Sequence, residues 1–219
     1  MRRHILFIIG IFLLYACKQS GESNTEAVAQ NTIKAIEVQM QDGLKRAYFA
    51  SGCFWCVEAI YESVDGVEEA VSGYSGGKTK NPSYRNHADH AETIEVYYNP
   101  NIVSFETLVD VYFGSQNITQ VNGQGPDRGT SYRSIIFYQN ETEKNVIKNK
   151  IDQLNQKIGG DKVAAQVMPF QKFWKAEDYH QDYEKNNPEN PYIQNVSIPR
   201  LNNFKKKFPH LLKKSIESK

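Results

Sequence analysis

Two cysteines three positions apart are the residues of this chain best suited to redox chemistry. They lie in Gly52-Cys53-Phe54-Trp55-Cys56, directly after an apolar run. The hydrophobic pattern predicts a buried strand over 47–50 and a helix over 53–63, so both cysteines should lie in the first turn of that helix. Because the unpaired N–H groups and the dipole of a helix N-terminus stabilise negative charge, we expect a lowered thiol pKa there.

The spacing of the two cysteines also permits them to react with each other. Residues three apart share one face of a helix, at a separation that a disulfide spans after a small adjustment. Cys53 and Cys56 are therefore predicted to cycle between dithiol and disulfide, as a Cys-x-x-Cys pair does in known redox proteins. The alternatives are a stapling disulfide or two unreactive buried cysteines. The aromatic pair between the cysteines argues against both.

The first seventeen residues have the composition of an export signal. Arg2-Arg3-His4 precedes an apolar run over 5–16, which is too short for a membrane span of about 20 residues. Leu14-Tyr15-Ala16-Cys17 resembles the cleavage box of bacterial lipoproteins, in which the cysteine is acylated. We therefore predict a lipoprotein-type signal peptide over 1–17 with lipidation at Cys17. The alternative is an ordinary secretory signal with an incidental cysteine.

This assignment decides how the remaining thiols pair. The chain has three cysteines. If Cys17 carries lipid, Cys53 and Cys56 are the only thiols left, and Cys56 is the sole internal residue able to resolve an oxidised Cys53. The expected location is outside the cytoplasm, as a membrane-anchored lipoprotein in the periplasm or at the cell envelope of a bacterium.

Length and composition indicate one folded domain between two extensions. The chain has 219 residues, 40% of them hydrophobic, and a formal net charge of +1, which argues against general nucleic-acid binding. Residues 18–45 begin with a polar stretch without aromatics, and we predict that they form a flexible tether. The folded domain is predicted over 46–196. Residues 197–219 contain lysines interleaved with apolar residues at helical spacing, which predicts a basic helical extension with a solvated face.

The hydrophobic pattern within the domain predicts both helices and strands. Turn residues mark 74–77 and 81–82, and the Gly- and Asn-rich stretch 116–130 predicts a long loop. Strands are predicted at 47–50, 68–72, 93–98, 134–138 and 163–167, and helices at 53–63, from Ser104, at 141–158 and at 176–184. The alternation is imperfect, which favours an α+β or two-layer sandwich fold over a doubly wound sheet.

Five segments match one protein family in the expected order. They are Gly52-Cys53-Phe54-Trp55, Gly73-Tyr74-Ser75-Gly76-Gly77, Asn81-Pro82-Ser83-Tyr84, His90-Ala91-Glu92 and Asp127-Arg128-Gly129-Thr130-Ser131-Tyr132-Arg133-Ser134. From about Arg46 to Asn195 the chain resembles an A-type peptide-methionine sulfoxide reductase, here in an exported lipoprotein form. The expected fold is α+β: a two-layer α/β sandwich with a ferredoxin-like core, a mixed sheet and long loops. The expected enzyme uses no cofactor and no metal.

The resemblance implies a reaction that begins at Cys53. This thiol attacks the sulfur of the S epimer of methionine sulfoxide, methionine is released, and a sulfenic acid remains on Cys53. Cys56 then condenses with the sulfenic acid, and a thioredoxin-like dithiol reduces the disulfide. Glu92 is implied as the proton donor, because burial among aromatics would keep its carboxyl protonated. Without the resemblance, Glu92 would be read as a surface carboxylate at the start of a strand.

The resemblance assigns supporting roles to further side chains. Tyr84 and Tyr132 would direct their hydroxyls at the sulfoxide oxygen, and Asp127 would shape the site; otherwise these are sheet tyrosines and a loop residue. Phe54 and Trp55 would hold the S-methyl group, since sulfur and methyl groups contact aromatic rings favourably. Their alternative role is core filling, which is less expected because neighbouring helix positions point about 100° apart.

The implied partners are oxidised methionine-containing proteins, free methionine sulfoxide, a thioredoxin-like reductant and, through the lipid, a membrane. We expect a monomer that binds no nucleic acid and repairs oxidised exported proteins.

Two rival functions use the same cysteines. A thioredoxin-type oxidoreductase would show a βαβ pattern around Cys53, which we do not find in the sequence. A binding module could ligate a metal through Cys53, Cys56, His87 and His90, although the two histidines are closer than in zinc fingers.

The chain departs from the family pattern at Asp89, where glycine is common, so the loop before Glu92 could be set differently. The segment Glu177-Asp178-Tyr179-His180-Gln181-Asp182-Tyr183 also resembles a family element near the site. No catalytic role follows for it from the sequence, and His180 could be a capping or core residue.

Overall fold

The strands in the described part of the chain form one mixed sheet and one short hairpin. The computed structural model describes residues 33–160 and 162–214. The strands are β1 Lys45–Ala50, β2 Val67–Ser75, β3 Ala91–Tyr98, β4 Gly123–Gln124, β5 Asp127–Arg128, β6 Ile135–Tyr138, β7 Gln166–Pro169 and β8 Trp174–Lys175. Within the described residues, the sheet has the order β7-β6-β1-β3-β2-β8, and β4 pairs with β5.

Five α-helices and several shorter turns accompany these strands in the described part of the chain. The helices are α1 Phe54–Glu62, α2 Phe105–Gly114, α3 Glu141–Ile158, α4 Tyr183–Asn186 and α5 Ile198–Lys207; 3₁₀ turns cover Thr130–Tyr132, Asp178–His180 and Pro209–Leu211, and a π-helical turn covers Ile193–Ser197. None of the helices in the described residues has the length and apolar character needed to cross a membrane. The predicted signal peptide, Cys17 and residues 18–32 of the predicted tether lie outside the described residues. The rest of the predicted tether belongs to the folded domain, because the N–H of Ile36 donates to the carbonyl oxygen of Phe170 at 2.8 Å and β1 begins at Lys45.

Four strands and two helices build a ferredoxin-like core, as expected. Strands β1 and β2 both pair antiparallel with β3, so β1-α1-β2 is a β-α-β unit with a strand inserted between its parallel strands. Strands β3 and β6 stand in the same relation across β1, with α2 between them in the chain. The order β6-β1-β3-β2 is that of a split β-α-β fold. The sequence analysis was therefore wrong to find no βαβ unit around Cys53, because β3, the strand that separates β1 from β2, comes later in the chain.

Both faces of the central strand β1 are buried. On one face, Phe49 stacks on Tyr61 of α1 with ring centroids 4.9 Å apart, within the main core between the sheet and the helices. On the other face, Tyr48 stacks on Phe170 at 3.7 Å in a second, smaller cluster. Burying one aromatic ring stabilises the fold by about 1.5–3 kcal/mol. Strand β1, which ends just before the cysteines, is therefore firmly held.

Two predicted strand positions need correction. The strand expected over 163–167 begins instead at Gln166, because its register is set by parallel pairing with β6, where Ile135 lies opposite Gln166. Tyr74 and Ser75, expected in a loop, belong to β2 and pair with β3. In both places the partner strand, which the local pattern does not contain, fixes the boundary.

The helix predicted over 176–184 is absent from the described residues. That stretch holds the 3₁₀ turn Asp178–His180, and α4 begins only at Tyr183. Asp182 separates the two with a φ of 52°, a left-handed conformation that interrupts a right-handed helix. The side chain of Gln181 bonds to the backbone of Ser72, which ties this irregular segment to the sheet.

Candidate active site

The two cysteines lie where the sequence predicts them, at the start of α1. Cys53 is the residue that precedes the first helical residue, and Cys56 lies in the first turn. Both are free thiols, and their exposed fractions are only 6% and 2%. Each sulfur is therefore largely shielded from water before any substrate binds.

A glycine allows the tight passage from β1 to α1. Gly52 has a φ of +78°, and a Cβ added to it would lie 2.5 Å from Cβ of Gln124. Only glycine adopts this backbone conformation readily and tolerates such an approach. The turn is also held by Arg200 of α5, whose Nη1 donates a hydrogen bond to the carbonyl oxygen of Ser51 at 3.0 Å.

Glu92 supplies the hydrogen bond that caps α1. It lies in β3, is 2% exposed, and its Oε2 accepts a hydrogen bond from the backbone N–H of Phe54 at 3.0 Å. Burial raises the pKa of Glu92 to about 8, outweighing the hydrogen bond from Phe54, which acts in the opposite direction. At neutral pH the carboxyl group is therefore mostly protonated. The surface position that the sequence alone favoured is excluded.

Cys53 donates a hydrogen bond to Cys56, and the pKa values of the two thiols shift in opposite directions. Burial raises the pKa of Cys53, and the neighbouring Cys56 and Glu92 raise it further. The hydrogen bond from Cys53 lowers the pKa of Cys56, as does the positive charge of Arg200. The expected lowering is therefore wrong for Cys53, because that sulfur is buried and its neighbours Cys56 and Glu92 also raise its pKa. For Cys56 the pKa is lowered, in the direction that was expected.

Aromatic rings form a wall beside the start of α1. Phe54 is almost fully buried and belongs to the main core, so it fills the core as well as contributing to this wall. Trp55 stacks on Tyr183 with centroids 3.8 Å apart, and its indole N–H donates to Nδ1 of His180 at 3.1 Å. The ring of Tyr84 lies 6.3 Å from that of Phe54 and 6.4 Å from that of Trp55. These rings could enclose a methyl-thioether group.

Tyr84 and Tyr132, the two predicted tyrosines, both lie near Glu92 and Cys53. Burial raises the pKa of Tyr84 and of Tyr132, and the charges of Glu92 and Cys53 contribute to both shifts. Both hydroxyls therefore stay protonated at neutral pH and can donate hydrogen bonds. The backbone N–H of Tyr84 donates to the carboxylate of Glu177 at 3.0 Å, which fixes this segment against the 3₁₀ turn that follows Glu177.

Asp127 is connected to the cysteines by a residue that the sequence analysis missed. The hydroxyl of Tyr192 donates a hydrogen bond to Oδ2 of Asp127 at 2.6 Å and lies 3.7 Å from Sγ of Cys56. Tyr192 directly follows the Pro-rich turn and is 136 positions from Cys56 in the chain. No local pattern marks it, since a tyrosine beside a turn is common in any fold.

Arg200 is the second residue that was missed. Its Nη2 donates to Oγ of Ser51 at 3.0 Å and its Nε donates to the carbonyl oxygen of Ser115 at 2.9 Å, in addition to the bond to the Ser51 carbonyl. It lies in the segment predicted as a solvated basic extension. One signal could have found it: Arg200 is four residues before Phe204, so it shares the buried face of α5.

Asp89 anchors the loop before Glu92. Its carboxylate accepts hydrogen bonds from the backbone N–H of Lys78 at 2.6 Å and from Oγ1 of Thr79 at 2.9 Å. These bonds hold its pKa below the ordinary range. Nε2 of the adjacent His90 contacts the carbonyl oxygen of Thr79 at 2.8 Å. The aspartate thus joins the two sides of the loop.

The metal site considered from the sequence is not assembled. His90 contacts Thr79, and Nδ1 of His87 contacts the carbonyl oxygen of Tyr84 at 3.1 Å. In residues 33–160 and 162–214, the one cluster of potential ligands is formed by Glu58, Glu62 and Asp182. Nζ of Lys185 lies 2.6 Å from carboxylate oxygens of Glu62 and Asp182, so a side-chain cation already neutralises that cluster.

Comparison with known proteins gives a consistent result. The family model described as "Peptide methionine sulfoxide reductase" matches residues 45–212 and thus includes α5. Peptide methionine sulfoxide reductase MsrA of Pasteurella multocida is 41% identical over 173 residues, which cover 77% of this chain and 99% of that protein. MsrA 1 of Rhodopirellula baltica is 39% identical, over 82% of this chain and 95% of that protein. The reduced form of Mxr1 from Saccharomyces cerevisiae superposes with a TM-score of 0.63 at 32% identity, covering 72% and 93% of the two chains.

Proposed function

Because the chain belongs to the peptide methionine sulfoxide reductase family and is thus an enzyme of thiol-dependent methionine sulfoxide reduction, we propose that it acts on the S epimer, free or in proteins, through Cys53. One observation carries this assignment: Glu92 is buried, mostly protonated, and bonded to the residue that follows Cys53. A thioredoxin-type oxidoreductase, the rival reading, has no use for a proton donor at this position.

In the first step, the sulfur of Cys53 attacks the sulfoxide sulfur. The thiol proton passes to Cys56, which already accepts a hydrogen bond from Cys53. Glu92 protonates the sulfoxide oxygen, because oxygen is a poor leaving group as an oxyanion. The oxygen leaves the methionine sulfur as hydroxyl and becomes bonded to Cys53. Methionine sulfur gains two electrons and Cys53 becomes a sulfenic acid, while the hydroxyls of Tyr84 and Tyr132 hydrogen-bond to the oxygen.

In the second step, Cys56 removes the sulfenic acid. Its thiolate attacks the sulfur of Cys53, the S–O bond breaks, and hydroxide leaves as water after taking up one proton. A disulfide then joins the two residues. An external dithiol of the thioredoxin type reduces this disulfide by two successive exchanges and becomes a disulfide itself. The hydrogen bond from Tyr192 to Asp127 fixes these two side chains beside Cys56.

An assay of the two sulfoxide epimers tests the proposal. A pocket that fixes the methyl group, the oxygen and the thiolate at three points accepts one configuration at sulfur. The folded domain, supplied with a dithiol, should therefore reduce the S epimer of a blocked methionine sulfoxide and leave the R epimer unchanged. Equal turnover of both epimers by the purified protein would contradict the proposal.

The location of the enzyme is a separate proposal that rests on the sequence before residue 18. We propose that Cys17 carries acyl chains, that the polar stretch from residue 18 to about residue 34 is the tether, and that a monomeric enzyme repairs oxidised exported proteins at the cell envelope. The support is the Leu14-Tyr15-Ala16-Cys17 box after a short apolar run. In the native host, wild-type protein should partition into detergent and a Cys17→Ala variant should not be lipidated. Complete recovery of wild type in the aqueous phase would refute the anchor.

A further inference from the structure

His180 is a buried polar residue to which the proposed reaction assigns no role. It is the last residue of the 3₁₀ turn Asp178–His180, and its side chain is fully shielded from water. It contacts the aromatic wall formed by Phe54, Trp55 and Tyr84. Its Nδ1 accepts a hydrogen bond from the indole N–H of Trp55 at 3.1 Å, and its ring centroid lies 4.4 Å from that of Tyr84 and 5.0 Å from that of Phe54. His180 therefore touches each ring that would enclose the methyl-thioether group.

The contact with Trp55 determines which nitrogen of His180 carries the proton. An indole N–H only donates hydrogen bonds, so Nδ1 must present a lone pair and the proton of the neutral ring is on Nε2. Burial lowers the pKa of His180 and outweighs the opposite effect of the Glu177 carboxylate. The ring is thus neutral at neutral pH, and its Nδ1 is available to Trp55.

The second nitrogen of His180 has no comparable partner. Nε2 is buried without a hydrogen bond to any described residue, and an oxygen of Glu177 lies 3.9 Å away. Glu177 instead accepts hydrogen bonds from the hydroxyl of Tyr74 and from the backbone N–H of Tyr84. A residue that only filled space would be better replaced by an apolar one, because a buried N–H without a partner destabilises the fold. The bond to Trp55 is the feature of His180 that an apolar side chain cannot supply.

The backbone around His180 is tied to the sheet and to α1. The side chain of Gln181 accepts a hydrogen bond from the backbone N–H of Ser72 and donates one to its carbonyl oxygen. The carboxyl group of Glu58 in α1 accepts a hydrogen bond from the backbone N–H of Asp182. The imidazole therefore projects from a segment that is held on both of its sides, and its hydrogen bond relates the position of the indole to that segment.

Stacking alone does not fix the indole of Trp55. Its ring lies on that of Tyr183, with centroids 3.8 Å apart and planes 9° from parallel. Stacked rings can slide and turn within their planes, because the burial of apolar surface has no preferred direction. Trp55 is also only half-buried, so an indole N–H without a partner could turn towards water. The hydrogen bond to Nδ1 is directional and removes this freedom.

We propose that His180 is a positioning residue that sets the selectivity of the site for an S-methyl group, because it holds the indole of Trp55 and so fixes the space between the rings of the aromatic wall. The inference rests on the proposed function, since it concerns the group carried by the sulfoxide sulfur. One added methylene in a closely fitting apolar pocket changes discrimination by about 10–200-fold. A fixed indole should therefore exclude an S-ethyl group, and an indole released from His180 should admit it.

Two conservative variants separate the two nitrogens of His180. Asparagine places an amide oxygen near the position of Nδ1, so His180→Asn can still accept the hydrogen bond from Trp55. Glutamine places its amide near the position of Nε2, so His180→Gln keeps a polar side chain of similar size but loses the acceptor at Nδ1. A merely structural role would make the two variants similarly defective.

Competition between two sulfoxides measures the selectivity of the full-length enzyme. The substrates are the S epimers of blocked methionine sulfoxide and blocked ethionine sulfoxide, and the quantity compared is the ratio of their kcat/KM values. This ratio should fall about fivefold in His180→Gln and stay within about twofold of wild type in His180→Asn. An unchanged ratio in His180→Gln, an equal fall in both variants, or a wild type that does not prefer the methyl compound overturns the proposal.

The wild type distinguishes a failure of this inference from a failure of the proposed function. If the reduced wild-type enzyme releases no methionine from the S epimer in a single turnover, the proposed function is wrong, and this inference is wrong with it. If methionine is released but the ratio does not respond to His180→Gln, only the role of His180 is wrong.

The indole N–H signal of Trp55 provides a readout that does not require activity. The chain has two tryptophans, so Trp174→Phe leaves the indole of Trp55 as the only one in the protein. In this background, His180→Gln should move the indole proton resonance upfield and speed its exchange with water, because the hydrogen bond is lost. His180→Asn should change both quantities less. An indole signal that is unaffected by His180→Gln, or affected equally by the two variants, overturns the proposal.

Discussion

The carboxyl group of Glu92 accepts a hydrogen bond from the backbone N–H of Phe54 at 3.0 Å, across 38 positions of the chain. This bond joins the middle strands of the sheet to the start of α1. It places a buried acid next to Cys53 and occupies an N–H group that would otherwise stabilise a thiolate. Burial keeps Glu92 protonated against the opposite effect of this bond, and burial together with Cys56 and Glu92 raises the pKa of Cys53.

Glu92→Gln should slow methionine release in a single turnover by about 10²–10⁴-fold, the usual contribution of a general acid. Glutamine keeps the oxygen that accepts the bond from Phe54 but has no proton to transfer. Tyr84→Phe and Tyr132→Phe should each cost less, because the remaining hydroxyl still bonds to the same oxygen. Rapid-quench measurement of methionine release checks all three variants.

Glu95→Gln is the matched control for this series. Glu95 lies in the same strand, is also buried, and accepts a hydrogen bond from Tyr48 on the opposite side of the sheet. Its replacement should leave the rate of methionine release unchanged. If Glu92→Gln reacts as fast as wild type while a tyrosine variant is inactive, the tyrosine is the acid and the assigned role of Glu92 is wrong.

Glu92→Gln should also stabilise the fold at alkaline pH. The pKa of Glu92 is raised from 4.5 in the unfolded chain to about 8 in the folded protein. Folding therefore takes up a proton between these values, and the stability of the wild type falls as pH rises from about 4.5 to about 8. Glu92→Gln removes this loss, on the order of a few kcal/mol at pH 8. Thermal unfolding should show equal stability at pH 4 and a more stable variant at pH 8; equal melting at both pH values would contradict the raised pKa.

The two cysteines should have separable roles. Cys53→Ser should release no methionine, because the nucleophile is lost. Cys56→Ser should release one methionine per enzyme and then retain a sulfenic acid on Cys53, which a dimedone adduct would identify by mass spectrometry. Undiminished multiple turnover of Cys56→Ser with a thioredoxin would show that Cys56 is dispensable for recycling.

Cys56→Ser should also lower the pKa of Cys53. In the wild type the charge and the hydrogen bond of Cys56 both raise that pKa, and Glu92 contributes less. The pH dependence of alkylation of Cys53 should therefore move to lower pH in Cys56→Ser, and by a smaller amount in Glu92→Gln. A shift to higher pH in Cys56→Ser would mean that Cys56 stabilises the Cys53 thiolate instead.

Much of the fold follows from local pattern. The helix expected at 53–63 is α1 within one residue at each end, and the helix at 141–158 matches α3. The helix expected to start at Ser104 is α2, for which Ser104 is the N-cap residue. Boundaries were wrong where distant residues decide them. Strand β7 is positioned by β6, and the segment before α4 is irregular because Gln181 bonds to Ser72 instead of continuing a helix.

Five ordered motifs were enough to identify the family, and with it the expected ferredoxin-like fold, Cys53, Cys56 and Glu92, because motifs depend on residue type, spacing and order along the chain. The protonation of this site, in contrast, follows from the folded structure. Whether Glu92 carries a proton depends on its burial. Which cysteine is the more acidic depends on the burial of Cys53, on its hydrogen bond to Cys56, and on the charges of Glu92 and Arg200. These are interactions between residues far apart in the chain, whose strength is set by distance and by exclusion of water, and no local sequence pattern records either.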